Sequence, residues 1–131
     1  MDEKQKRALA ARLFQRLGTA VKVRQVGDKI EGWKPEPGRC HENVAAWLER
    51  NPHHRPVRGW LYAQYLAPPC TAPFLSHSVI ETDRGELIDV SLPSTEWTHP
   101  FLRHESSEEE FLALVRNNGC PRLDHIIGGD S

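Results

Sequence analysis

The chain has 131 residues, enough for one domain that buries roughly two-thirds of its extended-chain surface without disulfides or metal. Seventeen basic and 18 acidic side chains give a formal net charge of −1, which excludes a general electrostatic attraction to nucleic acid or membranes. We therefore expect a single domain over residues 1–131, with no nucleic-acid partner and no membrane partner. The composition indicates no particular oligomeric state.

The cysteine pattern indicates reduced thiols. Cys40, Cys70 and Cys120 are odd in number and show no C-x-x-C spacing, which argues against a disulfide framework and against a zinc knuckle. No apolar run approaches the ~20 residues of a membrane-spanning helix, and the first residues, MDEKQKRALA, lack the apolar stretch of a signal peptide. These features predict a cytoplasmic protein without a cofactor.

The first half of the chain predicts two helices separated by a strand and a loop. An amino-terminal helix is expected within residues 1–18, with Gly18 as its stop. Its apolar residues share one face: Leu9, Leu13, Phe14 and Leu17. Residues 21–26 alternate as in a short strand, and the glycines and prolines of residues 27–38 predict a loop. A second helix is expected over residues 40–50, with Val44, Trp47 and Leu48 as its buried stripe.

The second half predicts three strands, residues 56–66, 74–82 and 86–92, with a proline-rich loop over residues 67–73 that cannot sustain strand pairing. A third helix is expected over residues 106–119. Its features are a capping box of Ser107 and Glu110 and an apolar stripe of Phe111, Leu114 and Val115, with Gly119 as the stop. The tail is expected to be mobile past Ile127. Helices before and after a run of strands predict an α+β fold, with helices packed against a small antiparallel sheet.

The strands on either side of residues 83–85 form the clearest hairpin in the sequence. If these residues form a three-residue loop with its glycine in the left-handed conformation, Thr82 pairs with Glu86. That register makes His77 and Asp89 diagonal neighbours on one face, within reach of a hydrogen bond. Such a pair is either a structural pair whose hydrogen bond offsets its burial or part of a site.

The stretch GRCHENVAAW, residues 38–47, places Cys40 at the start of the second predicted helix. A thiolate in that position is stabilised by unpaired backbone N–H groups and the helix dipole, and a nearby protonated histidine lowers its pKa further. The same N–H groups could stabilise the oxyanion that forms when the thiolate attacks a carbonyl. Together with His77 and Asp89, Cys40 completes the set that nucleophilic catalysis requires: nucleophile, base and orienting group.

GRCHENVAAW followed by HSVIETDRGELIDVS resembles the core of the transglutaminase-like branch of the papain-like cysteine enzymes. In that family a cysteine starts a helix, a histidine opens a strand and an aspartate lies on the next strand. The resemblance covers residues 38–92 as a Cys-His-Asp core and identifies the chain as a short, minimal member of bacterial type. It implies a papain/transglutaminase-like core, in which a helix packs on an antiparallel sheet and the three residues meet at the junction.

The resemblance also implies roles and a chemistry. Cys40 would be the nucleophile, His77 the general base and acid, and Asp89 the residue that fixes the imidazole tautomer. The enzyme would be a cysteine hydrolase or acyltransferase that attacks an amide or ester through an acyl-enzyme, as a peptidase (thiol protease), a deamidase or a transglutaminase-like enzyme does. A protein or peptide is the expected substrate.

The wider papain group usually places a Gln or Asn upstream of the cysteine as an oxyanion donor. The loop before Cys40 offers Trp33 and Lys34 but no amide side chain, and Gln25 lies fifteen residues away. An oxyanion would therefore depend on backbone N–H groups, such as that of Cys40.

Four further residues are candidates for substrate contact or for support of the site: Trp33, Arg39, His41 and Asn43. His41 is expected to point about 100° around the helix from Cys40, which makes it a surface or supporting residue of the first turn and not the base. Asn43, at the i+3 position, could hydrogen-bond near Cys40 or be ordinary helix polarity. Trp33 is either a core or loop anchor or part of a substrate groove.

Other residues receive simpler interpretations. His53 and His54 are expected to face solvent, Trp60 to be a core residue, Trp97 to be a core or groove residue, and Cys70 and Cys120 to be bystanders. Two rival functions remain open. One is a non-catalytic protein- or peptide-binding module that retains the three residues as structure and binds through a tryptophan-rich surface. The other is a zinc-dependent hydrolase with Cys40, His77 and Asp89 as ligands.

Overall fold

The computed structural model describes residues 2–64, 70–118 and 122–127. The described chain is α+β, with three α-helices, one short 3-10 helix and seven strands. In chain order these are α1 (Glu3–Gln15), the 3-10 helix (Leu17–Thr19), β1 (Val21–Lys22), β2 (Arg24–Gln25), α2 (Cys40–Arg50), β3 (Arg55–Tyr62), β4 (Thr71–Glu81), β5 (Leu87–Asp89), β6 (Pro100–Arg103), α3 (Glu108–Asn118) and β7 (Arg122–Ile126).

All seven strands belong to one mixed sheet. The strand order is β1-β6-β3-β4-β5-β2, and β7 pairs with β4 away from this path. The prediction of an antiparallel sheet is therefore wrong, because β2 runs parallel to β5, with Arg24 beside Ile88 and Gln25 beside Asp89. A parallel pair needs a crossover connection, and here the chain between the two strands contains α2, β3 and β4.

The described chain forms two compact units, and one of them contains the Cys-His-Asp residues. This second unit comprises residues 22–58 and 77–98. Helix α2 buries the predicted Val44 and Trp47 and half-buries Leu48. Six buried side chains form the core of the unit: Val26, Val44, Trp47, Ile80, Ile88 and Val90.

The hairpin of β4 and β5 has the predicted register. Thr82 N donates to Glu86 O at 2.8 Å, and Glu81 pairs with Leu87. Gly85 has a φ of +79°, the left-handed conformation that the three-residue loop requires. The turn therefore fixes which residues of β4 and β5 are neighbours.

The first unit comprises residues 1–21, 59–76 and 99–131, and its strands depart most from the sequence prediction. β6 and β7 were not predicted, and β4 begins at Thr71, so the expectation of an unpaired loop through residue 73 is wrong. Pro73 pairs with Asp124 of β7, and its carbonyl accepts from Ala63 N at 2.9 Å. The strand tolerates Pro73 because the hydrogen bond from Ala63 uses the carbonyl of Pro73, and not the N–H that a proline lacks.

The predicted helices of this unit are present with shifted ends. α1 begins at a capping box of Asp2 and Gln5. It buries Leu13, while the other predicted apolar residues, Leu9, Phe14 and Leu17, are half-buried against the core. At the start of α3, Ser107 Oγ accepts from Glu110 N at 3.2 Å, which is the hydrogen bond expected of the predicted N-cap. Phe111 of the predicted apolar stripe is fully buried. The predicted stop at Gly119 and the tail past Ile127 lie outside the described residues.

Candidate active site

His77 and Asp89 meet in the interior of the second unit. His77 Nε2 lies 2.6 Å from Asp89 Oδ2, and the two residues are only 5% and 2% exposed. A contact this short and this buried is a charge-assisted hydrogen bond, which is stronger than a neutral one. The structure thus brings together the two residues that the hairpin register predicts as neighbours.

The second oxygen of Asp89 is fixed by the backbone. Its Oδ1 accepts from Ser91 N at 2.9 Å and from Leu92 N at 3.1 Å. Because the carboxylate accepts three hydrogen bonds, two of them from backbone, its plane cannot rotate freely. Asp89 therefore holds the His77 ring in one orientation.

Cys40 begins α2 and is half-buried. The N-cap residue, Arg39, makes no side-chain hydrogen bond to the helix end. The first N–H groups of a helix have no intrahelical acceptor, so they give the thiol an electropositive environment. The sulfur is therefore located where a thiolate is favoured.

Two imidazoles hydrogen-bond the sulfur, one from His41 and one from His77. Burial disfavours the thiolate, but the hydrogen bonds from His41 and His77 and the positive charge of His77 lower the pKa of Cys40 from its ordinary 9.0 to about 6. Burial likewise disfavours a charged His77, but the hydrogen bonds and charges of Asp89 and Cys40 raise its pKa to about 10. The two shifts together describe a thiolate–imidazolium pair at neutral pH.

The ring nitrogens of His77 have separate partners. Nε2 is the atom bonded to Asp89, so the hydrogen bond to Cys40 is made by Nδ1. A proton on Nδ1 is therefore positioned between the ring and the sulfur. This is the geometry in which an imidazole exchanges a proton with a nucleophile.

The prediction that His41 points away from Cys40 is wrong. His41 hydrogen-bonds the sulfur, and its Nδ1 lies 2.6 Å from Ser78 Oγ. Ser78 is fully buried, and its hydroxyl also accepts from Arg58 Nη1 at 2.9 Å. A helix-wheel angle describes the Cα–Cβ direction only, and a long ring in the first turn can still reach back to its neighbour.

Asn43 joins the loop before Cys40 to the segment after Asp89. It is 5% exposed. Its Oδ1 accepts from Glu36 N at 3.0 Å, and its Nδ2 donates to Glu36 O at 2.9 Å and to Ser91 Oγ at 3.1 Å. Of the two interpretations offered by the sequence, the structure shows hydrogen bonding near the site and not ordinary helix polarity. Asn43 supports the backbone on both sides of the site.

We expect Asn43→Ala to destabilise the protein by about 1–3 kcal/mol, because it removes the three hydrogen bonds of a buried side chain, each worth about 0.5–1.5 kcal/mol. The measurement is the free energy of unfolding from urea denaturation. Glu49→Ala, on an exposed position of the same helix, is the matched control and should change stability by less than about 0.5 kcal/mol. Equal effects of the two substitutions would contradict the supporting role.

The remaining supporting candidates have different surroundings. Trp33 Nε1 donates to Val90 O at 3.1 Å, and its ring makes an edge contact with Trp47 at 5.2 Å between centroids, so Trp33 is an anchor of the loop. Arg39 is exposed and pairs with Glu36 and Glu42 at 3.3 Å and 3.2 Å. Neither side chain is among those that hydrogen-bond the sulfur.

Gln25 lies in the strand beside Asp89, but its amide serves the backbone. Its Nε2 donates to Pro93 O at 2.8 Å and to Glu96 O at 3.1 Å. This amide therefore fixes the loop after β5 and is not directed at the sulfur. The amides of Gln25 and Asn43 are both engaged away from Cys40.

The sequence did not indicate roles for Ser78 and Arg58. Strand alternation places Ser78 on the face of the hairpin opposite to His77, and it indicates nothing about Arg58. The available signal was a serine on the face of the strand that it shares with the apolar Ile80. A partner from α2 is a tertiary feature that strand alternation does not reveal.

Other predicted residues lie in simpler places. His53 is exposed as expected, but His54 is half-buried because its Nδ1 accepts from Trp47 Nε1 at 3.0 Å. Trp60 is fully buried. Cys70 is exposed, and Cys120 lies outside the described residues.

Within the described ranges, no group of three or more His, Cys, Asp or Glu side chains has an arrangement that could hold a metal ion. None of the helices there is both long enough and apolar enough to cross a membrane. Comparison of the chain with family models, curated proteins and solved structures finds no match in any of the three.

Proposed function

We propose that the protein is a cysteine hydrolase or acyltransferase that acts on an amide or ester through an acyl-enzyme on Cys40. One observation carries the proposal. The sulfur of Cys40 is hydrogen-bonded to His77, whose other ring nitrogen is bonded at 2.6 Å to the buried Asp89. A nucleophile, a base and an orienting carboxylate in series are the arrangement that thiol acyl transfer requires.

The reaction follows from the positions of the protons. The Cys40 thiolate attacks the carbonyl carbon, a C–S bond forms, and the carbonyl π electrons move to oxygen. The tetrahedral intermediate then collapses, and the leaving amine or alcohol takes the proton from His77 Nδ1. Asp89 holds the ring so that Nδ1 faces the sulfur throughout.

The second half of the reaction returns the enzyme to its starting state. Neutral His77 removes a proton from an acceptor, which is water in a peptidase or deamidase and an amine in a transglutaminase-like enzyme. The acceptor attacks the thioester, and the thiolate leaves while His77 keeps the proton. The same residues serve both acceptors.

The proposal predicts a selective, low-pKa thiol. We expect iodoacetamide to alkylate Cys40 with an apparent pKa of about 6, well below the ~8.5 of a thiol in a model peptide. The measurement is the alkylation rate against pH, resolved for each cysteine by mass spectrometry. If Cys40 is inert or titrates together with Cys70, the proposal is wrong.

Turnover needs a separate measurement. With p-nitrophenyl acetate as a generic activated ester, we expect release of p-nitrophenolate and an acetyl group on Cys40, detected by mass. Cys40→Ser should abolish the acetylated species, because an alcohol without a stronger base is a far weaker nucleophile. A low-pKa Cys40 that never becomes acetylated would restrict the site to thiolate chemistry other than acyl transfer.

The rival interpretation, a binding module with a tryptophan-rich surface, has less support among the described residues. Trp47 and Trp60 are buried, and Trp33 is packed against Trp47. Trp97 is exposed, at 75%, with Lys22 Nζ 5.8 Å from its ring centroid. A single exposed tryptophan does not make the surface that this interpretation requires.

A further inference from the structure

A second hydrogen-bonded chain reaches the sulfur of Cys40. Arg58 Nη1 donates to Ser78 Oγ at 2.9 Å, Ser78 Oγ lies 2.6 Å from His41 Nδ1, and His41 hydrogen-bonds the sulfur. Neither Ser78 nor Arg58 takes part in the mechanism described above. Ser78 is fully buried, so its hydroxyl group needs its hydrogen bonds from protein partners.

Donor and acceptor counts fix the direction of the first of these hydrogen bonds. A guanidinium has donors and no acceptor, so Ser78 Oγ must accept from Arg58. The serine hydroxyl has one hydrogen of its own, and His41 Nδ1 is positioned to accept it. A ring that accepts at Nδ1 is neutral and carries its proton on Nε2.

We infer that His41 is a second catalytic residue: a neutral Nε2–H donor to the Cys40 sulfur and to the oxyanion that forms beside it, held in this tautomer by the positioning residues Ser78 and Arg58. The inference rests on the proposed acyl transfer. His41 supplies the oxyanion donor that the amides of Gln25 and Asn43, both bonded to backbone elsewhere, do not provide. Donors directed at developing negative charge give large rate effects in a partly dehydrated site.

The role of His41 in the step needs no net proton transfer. As the Cys40 thiolate bonds to the carbonyl carbon, charge leaves the sulfur and appears on the carbonyl oxygen. The Nε2–H of His41 donates first to the sulfur and then to that oxygen. When the intermediate collapses, the oxyanion electrons re-form the C=O bond, the leaving group departs with the proton from His77, and His41 keeps its own proton.

The tautomer can be measured without any substrate. Long-range proton–nitrogen NMR spectra of uniformly ¹⁵N-labelled protein distinguish Nδ1–H, Nε2–H and doubly protonated rings. We expect His41 to be protonated on Nε2 alone near pH 7, and Ser78→Ala to produce a mixture of tautomers. A wild-type His41 that is protonated on Nδ1 overturns the inference, whatever its effect on activity.

Kinetics test the donor itself. With p-nitrophenyl acetate, we expect His41→Phe to slow acetylation of Cys40 by about 100-fold, the usual effect of removing one oxyanion donor. His41→Gln, which keeps an N–H donor, should recover at least about tenfold of that loss. A merely structural role would make both variants equally slow, and that result would contradict the inference.

The two proposals fail in different ways. If Cys40 of the wild-type protein is never acetylated, the proposed function fails, and the NMR spectra still report the tautomer. If Cys40 is acetylated and His41→Phe matches wild type, only the role of His41 is wrong. Urea unfolding of each variant shows that it is folded before its rates are compared.

Discussion

Replacement of His77 by alanine is expected to raise the pKa of Cys40 from about 6 towards its ordinary value of 9.0. The substitution removes both a hydrogen bond to the thiolate and the positive charge beside it, while burial of the sulfur continues to disfavour the charge. Hydrogen bonding from His41 remains and still favours the thiolate. The pKa of Cys40 should therefore stay below that of a buried thiol without hydrogen-bond partners. The measurement is the pH profile of Cys40 alkylation by iodoacetamide.

The alkylation rate at a single pH would understate this change. Near pH 7 the thiolate fraction falls from about 90% to about 1% for a pKa shift of about three units. A more basic thiolate is also more nucleophilic, and a Brønsted slope of about 0.4–0.5 gives about 20-fold over the same three units. The net rate near pH 7 then falls only about fourfold, whereas the midpoint of the profile moves by up to about three units.

Acyl transfer should respond far more strongly than alkylation. Without His77 the leaving group has no positioned acid and the acceptor has no base, and general acid–base catalysis contributes typically about 10²–10⁴-fold. We expect the rate of p-nitrophenyl acetate turnover to fall by a factor in this range. The affected step is deacylation, because water must be activated there. His53→Ala changes an exposed histidine of the same unit and is the control. It should leave the pH profile of Cys40 alkylation and the turnover rate unchanged. An unchanged Cys40 midpoint in His77→Ala would show that His77 does not stabilise the thiolate.

The core of the site was predictable because it depends on local rules. Gly85 fixes the turn, the turn fixes the register, and the register brings His77 to Asp89. The end of the helix at Arg50 follows from the proline two residues after it. Each of these inferences needs only neighbours within about a dozen residues.

The parts that were not predictable depend on contacts between distant segments. β6 and β7 are short and follow no clear alternation, and they become strands because β3 and β4 offer them partners. The parallel pairing of β2 with β5 joins residues more than sixty positions apart. The contact of His41 with Ser78 is of the same kind, since strand alternation says which residues share a face but not which side chain of a helix reaches them.

The second large effect concerns the pH dependence of stability in Cys40→Ala. We expect the free energy of unfolding of this variant to fall as the pH rises above 6.5. In the wild type, Cys40 and His77 together contribute no net pH dependence to this free energy between about pH 6.5 and pH 9. The measurement is urea denaturation of both proteins at several pH values across this range. The quantity compared is the difference between the two proteins, in which the other titrating groups cancel.

The sign follows from the two pKa shifts. The pKa of His77 is raised from 6.5 in the unfolded chain to about 10 in the folded protein, so its contribution to stability is complete below pH 6.5 and is lost as the pH rises towards 10. The pKa of Cys40 is lowered from 9.0 to about 6, so its contribution is complete above pH 9 and is lost as the pH falls towards 6. Between 6.5 and 9 the two slopes are equal and opposite, because folding only moves one proton from sulfur to nitrogen.

Removing the thiol leaves the His77 slope alone. The variant should then lose about 1.4 kcal/mol per pH unit, up to the pH at which His77 without its thiolate partner releases its proton. Its hydrogen bond to Asp89, at 2.6 Å and buried, still raises that pKa against the opposing effect of burial. Adding Asp89→Asn to the variant should abolish the slope, because an amide provides one oxygen where the site uses two acceptors and offers no charge to an imidazolium. A Cys40→Ala protein whose stability stays parallel to the wild type from pH 6.5 to pH 9 would mean that the resting site is a thiol beside a neutral imidazole, and the nucleophile would then have to be deprotonated anew in each catalytic cycle.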